Sequence, residues 1–433
     1  MAYRLNLDPI GRSCSYRNVV ARLKLRRKNG GISQLCRSAS SSSVCDIKTR
    51  PLRWKIPGPH PRAASLISYC TPQLSLTRNA ATSNTPAGAP YQPPLTGLLS
   101  LFPARLIPYA ELIRLDKPTG TYYLFFPCLF STLLAASLTS PITPPTTVLS
   151  TTFLFLTGAV IMRGAGCTIN DLWDRDLDPR VTRTRLRPLA RGALTPTQAI
   201  TFTGAQLLTG LAILLQFPPA CLYYGIPSLL LVATYPLAKR VTHYPQFVLG
   251  LTFSWGAWMG FPALGVDLLH GSSPACLTAA AAAAGCLYAS NVAWTVLYDM
   301  IYAHMDIRDD GAAGIKSIAL RHEAHTKLVL SGLAVVQVGL LAGAGVAAGA
   351  GPVFFLGSCG SAALALGWMI NRVDLKSVTD CWWWFRHGCW ITGGGIAAGL
   401  LGEYLMRLQG WYGNDVGAGE SVKQEVAVVD DER

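Results

Sequence analysis

Residues 163–192 read RGAGCTINDLWDRDLDPRVTRTRLRPLARG. An apolar run, 147–169, leads into this stretch, and another follows from Pro196. Between them stand Asp171, Asp174, Asp176 and Asp178, then Arg180, Arg183, Arg185, Arg187 and Arg191. Asn170, Asp174 and Asp178 are spaced i, i+4, i+8, so a helix continuing through them puts all three on one face. Carboxylates this close raise one another's pKa unless a cation lies between them. Such oxygen ligands suit a hard ion like Mg²⁺, which reaches protein through one or two carboxylates plus substrate phosphates. The neighbouring arginines suit phosphate oxygens through forked, charge-assisted hydrogen bonds. Taken alone, the run has a competing reading as a solvated polar loop capping two membrane helices.

A second run shifts the balance. Residues 298–316 read YDMIYAHMDIRDDGAAGIK and close another apolar segment, 275–297. Asp299, Asp306, Asp309 and Asp310 recur here, with Asp306 and Asp310 again i, i+4. Two acid clusters that each follow an apolar segment, separated by an even number of spans, lie on one side of a membrane. That arrangement allows two Mg²⁺ ions around one diphosphate. Chance repetition of a solvated loop is the weaker account, because charges are rarely placed at membrane depth.

Composition agrees with a membrane chain. Hydrophobic residues make up 50% of the 433 and charged residues 14%, too few to clothe a soluble protein of this size. The net charge of +14 suggests nucleic acid until it is located. Residues 1–95 hold 15 Lys and Arg against two acids, Asp8 and Asp46, while the remainder holds 22 against 21. That first stretch is Arg-rich, Ser-rich and acid-poor, with no secretory apolar core. It reads as a mitochondrial transit peptide followed by a flexible linker. Residues 17–25 have the pattern of a basic amphipathic helix. A basic tail without an address is the alternative.

From Thr96 onward, apolar segments long enough to span a bilayer fall at 120–138, 147–169, 197–217, 221–238, 247–266, 275–297, 326–350, 353–370 and 388–406. Nine spans put every basic loop, and both acid clusters, on one side, as the positive-inside rule requires. The expected organisation is therefore a targeting segment and linker at 1–95, a membrane domain at 96–410 and an acidic, disordered tail at 411–433. The twelve cysteines, scattered through the spans and the first stretch, show no metal spacing, and Cys167, Cys221, Cys276, Cys286 and Cys359 read as small membrane-buried hydrophobes. His304 is read chiefly as a satisfied polar residue and secondarily as a substrate contact. The Trp382-Trp383-Trp384 run reads as an interface anchor.

The residues NDLWDRDLD at 170–178 and YDMIYAHMDIRDD at 298–310 resemble the two aspartate-rich motifs of the UbiA-type membrane prenyltransferases. RLDKPTG from Arg114, MRGAGCTIND from Met162, TYPLAKR from Thr234, LGLTFSWGA from Leu249 and GIKSIALR from Gly314 are similar to the mitochondrial branch of that family that prenylates 4-hydroxybenzoate for ubiquinone. The resemblance covers about residues 108–406.

It implies an all-α bundle of nine transmembrane helices around a central cavity capped by Asp-rich loops. It also implies Mg²⁺-dependent transfer of an all-trans polyprenyl group from its diphosphate to carbon 3 of 4-hydroxybenzoate. Asn170, Asp171, Asp174, Asp178, Asp306 and Asp310 would be the metal ligands, with Asp174 and Asp306 central to catalysis. Arg183, Arg187, Lys239 and Arg240 would meet phosphate, and Arg114 or Lys117 the benzoate carboxylate. Asp299 would orient or deprotonate the phenol. The implied setting is the mitochondrial inner membrane, with the site facing the matrix. The implied partners are polyprenyl diphosphate, 4-hydroxybenzoate, membrane lipid and a ubiquinone-biosynthesis complex, and no nucleic acid. Two alternatives stay open: another aromatic acceptor on the same scaffold, as in meroterpenoid enzymes, and a multipass secondary transporter. A transporter would show helices interrupted at the bilayer midplane, with charges there.

Overall fold

An apolar segment in lipid must satisfy its backbone internally, which favours helices. The structure, a computed structural model, describes residues 91–412 except 182, 270–273 and 315. Of the expected targeting segment and linker at 1–95 and the acidic tail at 411–433, residues 1–90 and 413–433 lie outside the described residues.

Among those residues every regular element is helical. In order they are α1 (Ile107–Leu112), α2 (Thr119–Ala136), α3 (Pro145–Trp173), α4 (Pro196–Leu214), α5 (Ala220–Val241), α6 (Pro245–Phe253), α7 (Gly256–Ala263), α8 (Pro274–Ala303), α9 (Ile307–Ala313), α10 (Ile318–Arg321), α11 (Thr326–Ala347), α12 (Gly360–Arg372), α13 (Val378–Gly388) and α14 (Gly394–Leu408). Proline opens α3, α4 and α6, where its missing N–H is not needed. Thr195 and Gln198 close a reciprocal capping box on α4.

Among the described residues seven helices are long and apolar enough to cross a membrane: Thr119–Ala136, Pro145–Trp173, Pro196–Leu214, Ala220–Ala238, Leu277–Ala303, Glu323–Ala347 and Phe354–Arg372. They account for seven of the nine expected spans. The other two fall on interrupted helices. The expected span at 247–266 is two helices, α6 and α7, meeting at Ser254 and Trp255. Ser131 of α2 inserts its hydroxyl into α7, donating to the Gly256 carbonyl at 2.8 Å and accepting from Gly260 N at 3.0 Å. The backbone groups freed near the break thus find partners inside the protein. The expected span at 388–406 starts in a π-helical turn, Cys389–Gly393, that joins α13 to α14. A second π-helical turn, Phe354–Cys359, leads into α12.

Packing explains which helices lie inside. The apolar stretches of α2 and α8 are 72% and 67% buried, whereas those of α4 and α5 are 17% and 11% buried, as suits helices facing lipid. Between α2 and α8 lies an aromatic core in which Tyr123 stacks on Tyr298 with ring centres 3.6 Å apart and meets Trp294 edge-on. Helices α2 and α7 approach so closely that a Cβ on Gly260 would lie 2.3 Å from Thr132 N. Small residues permit this separation in membrane bundles.

Candidate active site

Helix α3 stops at Trp173, yet its hydrogen-bond rhythm carries on. Asp174 N donates to Asn170 O at 2.9 Å and Asp178 N to Asp174 O at 2.8 Å. The i, i+4, i+8 alignment of Asn170, Asp174 and Asp178 therefore survives the end of the helix, and all three are buried. The second cluster is built the same way: α8 ends at Ala303, Asp306 caps α9, and Asp310 N donates to Asp306 O at 2.8 Å. Gly314, at φ 71°, ends α9 in the left-handed conformation that glycine adopts freely.

The two clusters line one cavity of about 780 Å³, with Asn170, Asp171, Asp174 and Asp178 on one wall and Asp299, Asp306 and Asp310 on the other. Arginines tie the walls together. Arg183, from the loop after α3, donates from Nε to Asp306 Oδ1 at 2.8 Å and from Nη2 to Oδ2 at 2.5 Å. It also bonds the Tyr302 hydroxyl and lies over that ring, 5.0 Å from its centre. Arg187 bridges Asp171 and Asp178 at 3.0 Å each. Burial raises the Asp178 carboxyl above its ordinary range, the charges of Asp171 and Asp174 add to that, and Arg187 opposes them.

Arg114 holds both oxygens of the fully buried Asp171, at 2.7 and 2.8 Å. Its φ of 60° is uncommon for a non-glycine residue, and the bonds from Nη2 to Asp171 and from Nη1 to the Glu111 and Leu112 carbonyls help hold it there. Asp171 is thus engaged by two arginines, and Arg114 by a carboxylate of the protein itself. Lys117 lines the cavity with an exposed side chain. Arg240 stands outside the lining and donates to Trp173 O at 2.7 Å; the side chain of Lys239 lies outside what is described. His304 is buried, with its ring nitrogens against Met300 O and Thr326 Oγ1, and it is not part of the lining.

Several lining residues escaped the sequence reading. Arg163, in α3, reaches the cavity with its Nε buried and without a hydrogen bond, 5.5 Å from the centre of the Phe253 ring. Gly120 of α2 makes room for it, since a Cβ there would lie 2.5 Å from Arg163 Nε. A charge inside an apolar run was the signal available. Tyr235 donates to Asn170 Oδ1 at 3.1 Å and orients that amide. Trp382 and Phe385 of α13 also form cavity wall, with Phe385 4.4 Å from Tyr302. Trp382 is therefore part of the site as well as of a boundary helix.

Among the described residues no group of three or more Asp, Glu, His or Cys is gathered closely enough to cage a metal. Carboxylate and amide oxygens on two facing walls instead fit Mg²⁺, which takes few protein ligands and completes its shell with phosphate and water.

Comparison with known proteins agrees with this geometry. Residues 124–391 match the UbiA prenyltransferase family. The mitochondrial 4-hydroxybenzoate polyprenyltransferase of Schizosaccharomyces pombe is 44% identical over 335 residues, covering 77% of this chain and 89% of that protein. The enzyme of the same name from Saccharomyces cerevisiae is 42% identical over 315 residues, covering 72% and 80%. Among solved structures, a UbiA homolog from Aeropyrum pernix K1 superposes with a TM-score of 0.52 at 20% identity, covering 66% of this chain and 98% of that one.

Proposed function

The chain belongs to the UbiA prenyltransferase family, and from that premise we propose that it transfers an all-trans polyprenyl group from polyprenyl diphosphate to carbon 3 of 4-hydroxybenzoate. The observation that carries the reading is the Arg183–Asp306 pair, which links the loop after α3 to the loop after α8 across one cavity.

In this reading Asn170, Asp174 and Asp178 on one wall and Asp306 and Asp310 on the other would hold Mg²⁺, which would neutralise the diphosphate as a leaving group. Arg183 and Arg187 neutralise these acids and are the cations nearest to take diphosphate oxygens when substrate enters. Asp171 serves as the anchor that positions Arg114 and Arg187 rather than as a ligand. Tyr298, Tyr302, Trp382 and Phe385 present π-faces to the allylic cation formed when the C–O bond breaks, and they limit access of water. Arg163 pairs the benzoate carboxylate, a role Arg114 is not free to fill while it holds Asp171. Asp299 accepts or orients the phenol proton from the same cavity wall. The full account has nine crossings, counting α6 with α7 and the α13–α14 unit as one each. The transit peptide delivers the chain to the mitochondrial inner membrane with the cavity facing the matrix, where it joins a ubiquinone-biosynthesis complex.

The break between α6 and α7 is an interruption that a transporter would also show. It carries no charged residue from 247 to 264, and Ser131 bonds the α7 backbone beside it. The break itself therefore lacks the charge that an interrupted transporter helix carries. The test is to reconstitute the protein in liposomes with 4-hydroxybenzoate, other phenolic acids, Mg²⁺ and polyprenyl diphosphates of several lengths. Mass spectrometry should find ring-prenylated 4-hydroxybenzoate. Product with other acceptors alone would favour the meroterpenoid reading, and solute uptake without any product would favour the transporter.

A further inference from the structure

We propose that the tryptophan-lined cavity between α12 and α13 is a headgroup site for a choline phospholipid. It has a volume of about 520 Å³ and is lined by Trp368 and Arg372 of α12 and by Asp380, Trp383 and Trp384 of α13. It shares no lining residue with the substrate cavity, although α13 contributes to both.

The buried Trp384 meets Trp368 edge-on, with ring centres 5.1 Å apart at 81°, and meets Trp383 edge-on at 4.8 Å and 84°. Trp368 and Trp383 remain 48% and 42% exposed, so aromatic surface stays available to a ligand. The three indoles pack on one another and Trp383 also stacks on His387, with ring centres 4.5 Å apart; a quaternary ammonium, which has no N–H to donate, can be held through cation–π attraction by the indole surface that Trp368 and Trp383 leave exposed.

The charges complement the rest of a phosphocholine group. Asp380 carries a carboxylate whose Oδ2 accepts only a backbone N–H, from Asp374 at 2.7 Å, among the described residues. Arg372 is exposed and makes no hydrogen bond or ion pair with any described residue, Asp380 included. One guanidinium and one carboxylate around a single aromatic cavity match a phosphate and an ammonium joined by a short linker. An anionic headgroup would leave the carboxylate opposed.

Position identifies the source as lipid. Arg372 ends the membrane helix Phe354–Arg372, so the cavity lies at the membrane boundary, where tryptophans and headgroups meet. Leu364, one helical turn before Trp368 on the same face, is 77% exposed and offers an apolar path for an acyl chain.

The experiment uses the full-length protein in detergent and needs no catalysis, so it stands apart from the assay of the prenyl-transfer reading. Phosphatidylcholine, phosphatidylethanolamine and phosphatidylglycerol with equal chains, and free phosphocholine, are titrated and followed by native mass spectrometry. Phosphatidylcholine should bind about tenfold more tightly than phosphatidylglycerol. Trp383→Ala should remove that preference and Arg372→Gln should weaken all three lipids through their shared phosphate, while the melting temperatures of both variants report whether the fold is kept. Arg372→Gln alters an exposed side chain and keeps the test valid if Trp383→Ala unfolds. Equal binding of the three lipids, a preference for phosphatidylglycerol or phosphatidylethanolamine, or lipid affinities that Arg372→Gln leaves unchanged would overturn the site. Free phosphocholine binding as tightly as the lipid would overturn the assignment to a membrane ligand.

Discussion

At the scale of single residues, the site is a set of acids held by arginines that substrate can recruit. In the proposed mechanism Asp299 and Arg163 divide the handling of the acceptor. Asp299→Asn should still bind polyprenyl diphosphate with Mg²⁺ and release diphosphate slowly, while ring-prenylated product is lost. Parallel assays of diphosphate and product check this, and loss of Mg²⁺-dependent binding would instead make Asp299 a metal ligand. Arg163→Gln should raise KM for 4-hydroxybenzoate by roughly ten- to a hundredfold, the cost of a charged hydrogen bond of about 1.5–3 kcal/mol. KM for the prenyl donor should change little, and steady-state kinetics with each substrate varied separate the two. The motif acids were legible in the sequence because helical spacing is a property of the chain itself. Arg163 was not, because its partner surface comes from α2 and α6, distant in sequence. The engagement of Arg114 with Asp171 was likewise hidden, since it joins residues 57 apart.

At the scale of elements, the bundle depends on close approach and on repaired breaks. Gly260→Val should weaken the α2–α7 contact, because the atoms it would meet are the Thr132 and Ser131 backbone and the Ser131 hydroxyl that bridges α7. Overpacking of this kind costs about 1–3 kcal/mol, and thermal unfolding in detergent should show a lower midpoint than wild type; an unchanged midpoint would show that the two helices can separate freely. Hydrophobic runs in the sequence located the helices because length and apolar content are local. The interruption at Ser254 and Trp255 could not be read from them, since its compensation comes from Ser131 on another helix. The Trp382-Trp383-Trp384 run hid a division by face: Trp382 lines the substrate cavity, while Trp383 and Trp384 line the outer one.

At the scale of the whole molecule, the proposed function requires that loops after α3 and α8, more than a hundred residues apart, meet on one side of the membrane. Reporter tags at Leu186 and Ala312, in the segments that follow α3 and α8, should both report the matrix side, and a tag after Tyr412 the opposite side, if there are nine crossings. Disagreement between the two loop tags would break the shared site. The central claim is that both acid clusters grip one diphosphate, and the most direct test is a double-mutant cycle on Mg²⁺-dependent binding of a non-hydrolysable polyprenyl diphosphate analogue. Asp174→Ala and Asp306→Ala should each weaken binding strongly. The double variant should lose much less than the two losses combined, with a coupling of about 1–3 kcal/mol. Effects that add to within about 0.5 kcal/mol, or an Asp306→Ala variant that binds like wild type, would contradict a shared site.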